Sequence, residues 1–165
     1  MPLKIGAVID GSITSAIDGG KVTWAPDPRA LTDLAQGTSS SMVDLAYQDT
    51  RTIAASGTYN LDLSGTQDTN VFGVSLAFVK VKSLYVKAAA ANTNNVIVGA
   101  GTNPFVGPLG GTTPTITLPP GGELLLTAPV GGWTVTAATA DILKFANSSS
   151  GTGVDFDVII TGTSA

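Results

Sequence analysis

Residues 154–161, VDFDVIIT, alternate between apolar and polar side chains over most of their length. The apolar residues of VDFDV share one parity, and its two aspartates share the other. Successive side chains of a β-strand point to opposite faces, so this period of two predicts a strand with one buried face. Residues 59–64, YNLDLS, repeat the pattern and predict a second strand of the same kind.

Similar short segments recur along the whole chain and are separated by clusters of Gly, Pro, Asn and Ser. They are residues 3–9, 12–17, 21–25, 74–87, 95–98, 115–118, 123–127, 133–137 and 142–146. Regularly spaced alternating strands have few other ways to bury one face each. We therefore expect one all-β domain over residues 1–165, an antiparallel β-sandwich or jelly roll. Residues 71–165 would be its most regular part, and residues 1–20 an N-terminal arm or edge strands.

Helix-favouring residues are scarce, because Glu123 is the only glutamate and Thr, Val and Gly are abundant. Only residues 31–35 and 88–91 favour a turn or so of helix, and the sequence predicts no long helix. The parity of the strands also predicts the residues of the hydrophobic core. These are Leu61, Leu63, Leu76, Phe78, Leu84, Val96, Val98, Ile116, Leu118, Leu125, Val135, Phe156, Val158 and Ile160.

The composition argues against many functional classes. The chain has no cysteine and no histidine, which excludes thiol nucleophiles, disulfides, thiolate zinc sites and histidine acid–base chemistry. A net charge of −4 is the wrong sign for binding nucleic acid or an anionic lipid surface. We expect no enzyme activity, no cofactor, no metal and no membrane or nucleic-acid partner. Asp10 interrupts the first apolar segment, so we expect synthesis in the cytoplasm.

Three motifs resemble catalytic or ligand sites but are better explained as structure. VIVGAG, residues 96–101, lacks the third glycine of a dinucleotide-binding turn because Pro104 stands there, which indicates a loop. Asp155 and Asp157 could bind calcium or act as an acid and a base, but their parity places them on a solvated strand face. Lys82 and Ser83 are adjacent in a strand and would point to opposite faces, which argues against a catalytic dyad.

Five residues are candidates for binding a partner. Lys80 and Lys82 share a strand parity, and they would either meet an acidic partner surface or protect a sheet edge against aggregation. Leu3, Ile5 and Ala7 give the N-terminal segment one apolar edge. Such a terminal strand either pairs within its own sheet or adds to the sheet of a neighbouring subunit or another protein, and we favour the neighbour.

Several stretches, in their order and spacing, resemble a family of small virion proteins of tailed bacteriophages over residues 45–162. They are DTRTIAAS (49–56), LDLSG (61–65), FVKVKSLYV (78–86), NTNNVIVG (92–99), NPF (103–105), TITLPPGG (115–122), GWTVTA (132–137), DILKFANS (141–148) and FDVII (156–160).

The resemblance implies a non-enzymatic structural protein of the virion, best placed on the capsid surface as a decoration or cementing protein. It implies a homotrimer whose partners are itself and the major capsid protein, and it carries over no catalytic residue. A tail or tail-fibre β module is the main alternative. A secreted binding module or a polysaccharide-degrading tailspike is a third reading, and the latter would need clustered carboxylates and aromatic residues.

Overall fold

The computed structural model describes residues 3–8, 13–17, 20–24, 29–70 and 72–165. Within these ranges the chain forms β-strands and no helix. The strands are β1 (Leu3–Val8), β2 (Ile13–Ile17), β3 (Gly20–Trp24), β4 (Arg29–Gln36), β5 (Met42–Val43), β6 (Leu45–Ile53), β7 (Thr58–Asp62), β8 (Lys80–Ala88), β9 (Val96–Gly99), β10 (Thr115–Leu118), β11 (Glu123–Thr127), β12 (Trp133–Thr134), β13 (Ile142–Asn147) and β14 (Val154–Thr163).

Two antiparallel sheets build the body of the protein. The first sheet has the strand order β11-β8-β14-β6, and β12 also pairs with β8. The second sheet has the order β10-β9-β13-β7. Apolar side chains of both sheets form one continuous buried cluster, in which Phe145 of β13 stacks on Phe156 of β14. The predicted all-β sandwich without a long helix is therefore confirmed.

The predicted core is largely confirmed. All of its residues are buried in the cluster except Ile116, which is partly buried against it, and Leu125. The assignment of Leu125 is wrong. In β11 it is Leu124 that lies opposite the buried Val86 and packs against the core, while Leu125 lies opposite the half-buried Tyr85. The run of three leucines contains no polar residue that would have shown the parity.

The N-terminal part forms a separate small sheet. β1 pairs antiparallel with β4 along its whole length, from Leu3 opposite Leu34 to Val8 opposite Arg29, and β4 pairs parallel with β5. β2 and β3 form a hairpin that pairs with no other strand of the described residues. One edge of β1 therefore pairs within its own chain, and the addition of the segment to a neighbour's sheet stays a prediction.

Both predicted helical turns are wrong. Residues 31–35 lie in β4, where pairing with β1 outweighs their weak helical preference. Ala88 ends β8, and the residues after it form a turn. β6, which forms an edge of the first sheet, was not among the predicted strands. The predicted strand 74–87 begins only at Lys80, although Leu76 and Phe78 in the preceding loop are buried as expected.

Candidate partner-binding site

A β-bulge in β8 shapes the first of two candidate sites. Ser83 lies opposite Thr161 of β14, whereas the next paired position joins Val81 to Gly162, so Lys82 is an extra residue. In a regular strand, residues three positions apart point to opposite faces. Because of the extra residue, Val81 and Leu84 both face the core. A Cβ on Gly162 would collide with the carbonyl oxygen of Lys80, so the close approach of the two strands requires glycine here.

The bulge buries Lys82. The residue is only 2% exposed, and its Nζ donates a hydrogen bond of 2.8 Å to the carbonyl oxygen of Val130. Burial, followed by the positive charge of Lys80, lowers the pKa of Lys82 below its ordinary value. Lys80 is half-buried, and its Nζ donates to Oγ1 of Thr134 over 2.6 Å. Because β8 is an interior strand of its sheet, the interpretation of these lysines as edge protection is wrong.

The two lysines line a small pocket of about 200 Å³. Its other walls are the segment of residues 38–40, the loop of residues 130–131, and Thr163 and Ala165 at the end of the chain. The carbonyl oxygen of Val130 also accepts hydrogen bonds from the hydroxyl of Ser40, at 2.9 Å, and from the backbone N–H of Ser41. The pocket therefore lies where the N-terminal sheet joins the sandwich.

A second candidate surface is apolar and lies beside β1. Leu3, Leu34, Val43, Leu45 and Phe72 help to line a groove of about 330 Å³. Phe72 is 80% exposed, and the nearby Val74 is 61% exposed. Leu3 is therefore placed at an apolar surface, as the N-terminal pattern indicated. The side chains of Ile5 and Ala7 lie outside the described part of the structure, so their assignment stays a prediction.

A buried polar cluster fixes the loop that carries Phe72. Arg51 pairs with Asp68 over 2.6 Å and also lies over the ring of Tyr59, with 4.7 Å from its guanidinium carbon to the ring centroid. The hydroxyl of Tyr59 donates to Asp68 over 2.7 Å. The side chain of Asn70, two residues further on, accepts hydrogen bonds from the backbone N–H groups of Phe72 and Val74. The backbone at the exposed Phe72 is therefore held by hydrogen bonds to Asn70.

The other motifs of the sequence keep their structural interpretation. Asp155 and Asp157 are exposed on the first sheet, where each accepts a hydrogen bond from a threonine of β6. In the described ranges no group of three or more His, Cys, Asp or Glu side chains could hold a metal ion. No helix in this part of the chain is long and apolar enough to cross a membrane.

Sequence reasoning identified Lys80, Lys82 and Leu3 but missed Phe72 and the Arg51–Asp68 pair. The change of apolar parity between Val81 and Leu84 is a signal that could have revealed the bulge. Phe72 stands in a segment without alternation, so no pattern marked it. No known protein-family model matches the chain. No curated protein matches it significantly in sequence either.

Proposed function

We propose that the protein is a non-enzymatic structural component of a phage virion, a decoration or cementing protein on the outside of the head. It would stabilise the shell through self-association, as a homotrimer, and through contacts with the major capsid protein. The proposal begins from the family resemblance of residues 45–162. The arrangement of the apolar side chains then supports it.

The observation that carries the proposal is the exposed apolar surface beside the N-terminal sheet. The sandwich encloses its own hydrophobic cluster, so the exposure of Phe72, Val74 and Leu3 does not result from an incomplete core. Large apolar side chains that are grouped and exposed mark surfaces that bind other proteins. Aromatic side chains are also enriched at the centres of such interfaces.

The hydrogen bonds of Asn70 make this surface suitable for a rigid contact. A backbone segment that is already held in place loses less conformational entropy on binding. Asn70 accepts hydrogen bonds from the backbone N–H groups of Phe72 and Val74 and so holds the backbone there before any partner arrives. A cementing protein needs such contacts to form repeatedly and identically over the shell.

The test is binding to shells that lack the protein. Purified protein is mixed with undecorated shells and sedimented, and we expect saturable binding in a fixed ratio to the major capsid protein. The double variant Phe72→Ser, Val74→Ser should bind weakly. Val79→Ser should bind normally, because Val79 is an exposed valine that lines neither the apolar groove nor the pocket at Lys80 and Lys82. Binding to tails and not to shells would overturn the proposal in favour of the tail alternative.

A further inference from the structure

The geometry points to the pocket at Lys80 and Lys82 as a binding site for one carboxylate group from an acidic side chain of a protein. This assignment goes beyond the proposed function, because it names a second contact with a different chemistry from the apolar surface. It would apply to the protein wherever in a virion it resides. Three features of the pocket carry the inference.

The first feature is an ammonium group that has no counter-charge among the residues that the structure describes. Among the described residues, none of the ion pairs includes Lys80 or Lys82. Lys82 has three N–H donors, and its Nζ has one acceptor in this part of the protein, the carbonyl oxygen of Val130. A buried charge is costly unless it is paired. A carboxylate would supply both the missing charge and the missing acceptors.

The second feature is the donor character of the walls. Apart from the two lysines, the pocket is lined by four hydroxyl-bearing residues, by Gly131 and Ala165 and by the apolar Val130, and no aspartate or glutamate is among them. Ala165, the last residue of the sequence, also lines it and contributes an oxygen acceptor, which takes a hydrogen bond of 2.8 Å from the hydroxyl of Thr163, and none of the ion pairs among the described residues joins Ala165 to either lysine. A carboxylate has two acceptor oxygens, so it could take one N–H from each lysine, while the hydroxyl of Ser40 stays on the carbonyl oxygen of Val130.

The third feature is charge complementarity. The chain has twelve acidic and eight basic side chains, so a pair of neighbouring lysines at a pocket is a local exception to its net charge of −4. The acidic side chain could come from a second copy of this protein or from another protein of the assembly. Both sources present the same carboxylate, and self-association measurements distinguish them.

The first experiment uses acetate as the probe. Labelled protein is titrated with sodium acetate against sodium chloride at constant ionic strength, and NMR follows the amides of Ser40 and Gly131 and the lysine side chains. We expect shifts that saturate, that disappear in Lys82→Met, and that persist in Lys144→Met. The last variant removes the same charge from β13 of the second sheet. Shifts that do not saturate, or that are equal in Lys82→Met, would overturn the inference, as would tighter binding of inorganic phosphate.

A second variant tests the site even if Lys82→Met fails to fold. A Cβ at Gly131 would meet no atom within 4 Å, so a side chain fits there. Gly131→Asp should supply a carboxylate from within the chain, and Gly131→Asn is its neutral control. We expect a higher Tm for Gly131→Asp than for Gly131→Asn, together with loss of acetate binding. A lower Tm with acetate binding retained would contradict the inference.

The source of the carboxylate follows from sedimentation velocity and shell binding. If a second copy supplies it, acetate and Lys82→Met should both weaken self-association. If another protein supplies it, both should weaken shell binding and leave self-association unchanged. If neither interaction responds, the pocket does not bind a protein carboxylate. Loss of shell binding in Phe72→Ser, Val74→Ser alone would then leave the proposed function standing.

Discussion

The ring of Phe145 in β13 stacks on the ring of Phe156 in β14, with 4.5 Å between their centroids and 25° between their planes. Tyr59 of β7 continues the stack, with its ring centroid 6.2 Å from that of Phe145. Because β14 belongs to the first sheet and the other two strands to the second, these rings join the two layers. The hydroxyl of Tyr59 then reaches Asp68, so the stack connects the core to the loop that presents Phe72.

Removing the ring of Phe156 should destabilise the whole domain. The residue is 1% exposed, and Phe156→Ala should lower the free energy of unfolding by about 3–5 kcal/mol, the range for large-to-small changes in a core. Urea unfolding followed by fluorescence measures this. Phe72→Ala is the matched control, because the ring of Phe72 is 80% exposed. Equal losses in the two variants would show that Phe156 is not a core residue.

Replacing Arg51 alone should lower the free energy of unfolding more than replacing both Arg51 and Asp68. Asp68 is buried, so Arg51→Met would leave its carboxylate without its partner cation and should lower stability by about 3 kcal/mol. The double variant Arg51→Met, Asp68→Asn should be less destabilised than the single one, because no buried charge remains. A double-mutant cycle of unfolding free energies measures this coupling. Additive effects would contradict it.

The buried tyrosines should make the protein sensitive to alkali. Burial raises the pKa of Tyr59 above its ordinary value of 10.0, and hydrogen bonds with Tyr47 and Asp68 raise it further. Above pH 10.0 the unfolded chain therefore loses this proton while the native protein keeps it. The contribution to stability is complete below that pH and is lost as the pH rises beyond it. The free energy of unfolding, measured from pH 8 to 11, should decline less steeply with pH in Tyr59→Phe than in the wild type. Identical slopes would contradict this account.

Deleting residues 2–9 should leave the sandwich folded. The deletion removes β1 and its ladder with β4, and Leu3, whose side chain the structure describes, does not belong to the hydrophobic cluster. We expect a cooperative unfolding transition and loss of shell binding, because Leu3 helps to line the apolar groove. Thermal unfolding and shell sedimentation check the two expectations. A truncated chain without a cooperative transition would instead make β1 part of the folding unit.

The alternation of apolar and polar residues predicted the strands in which it is complete. In β14, Phe156, Val158 and Ile160 are buried as their parity indicates. β6 was missed because Asp49 and Arg51 occupy positions between Tyr47 and Ile53 that share their parity. Those charges are tolerated because Arg51 pairs with Asp49 and Asp68. A partner 17 positions away in the sequence cannot be read from a local pattern.

The candidate site was predicted only in part for a related reason. The sequence placed Lys80 and Lys82 on one strand, and both do lie in β8. Their pocket, however, depends on the bulge opposite Thr161 and Gly162 and on the loop that brings the carbonyl oxygen of Val130 to Lys82. These are contacts between distant segments. Spacing along one strand therefore predicted the residues but not their burial.

The most direct test of the proposed function is the number of copies of this protein in purified virions, measured by quantitative mass spectrometry against the major capsid protein. The account predicts a constant ratio that corresponds to many copies spread over the shell, with imaging showing them on its outer surface. A few copies confined to the tail, or absence from the virion, would contradict it.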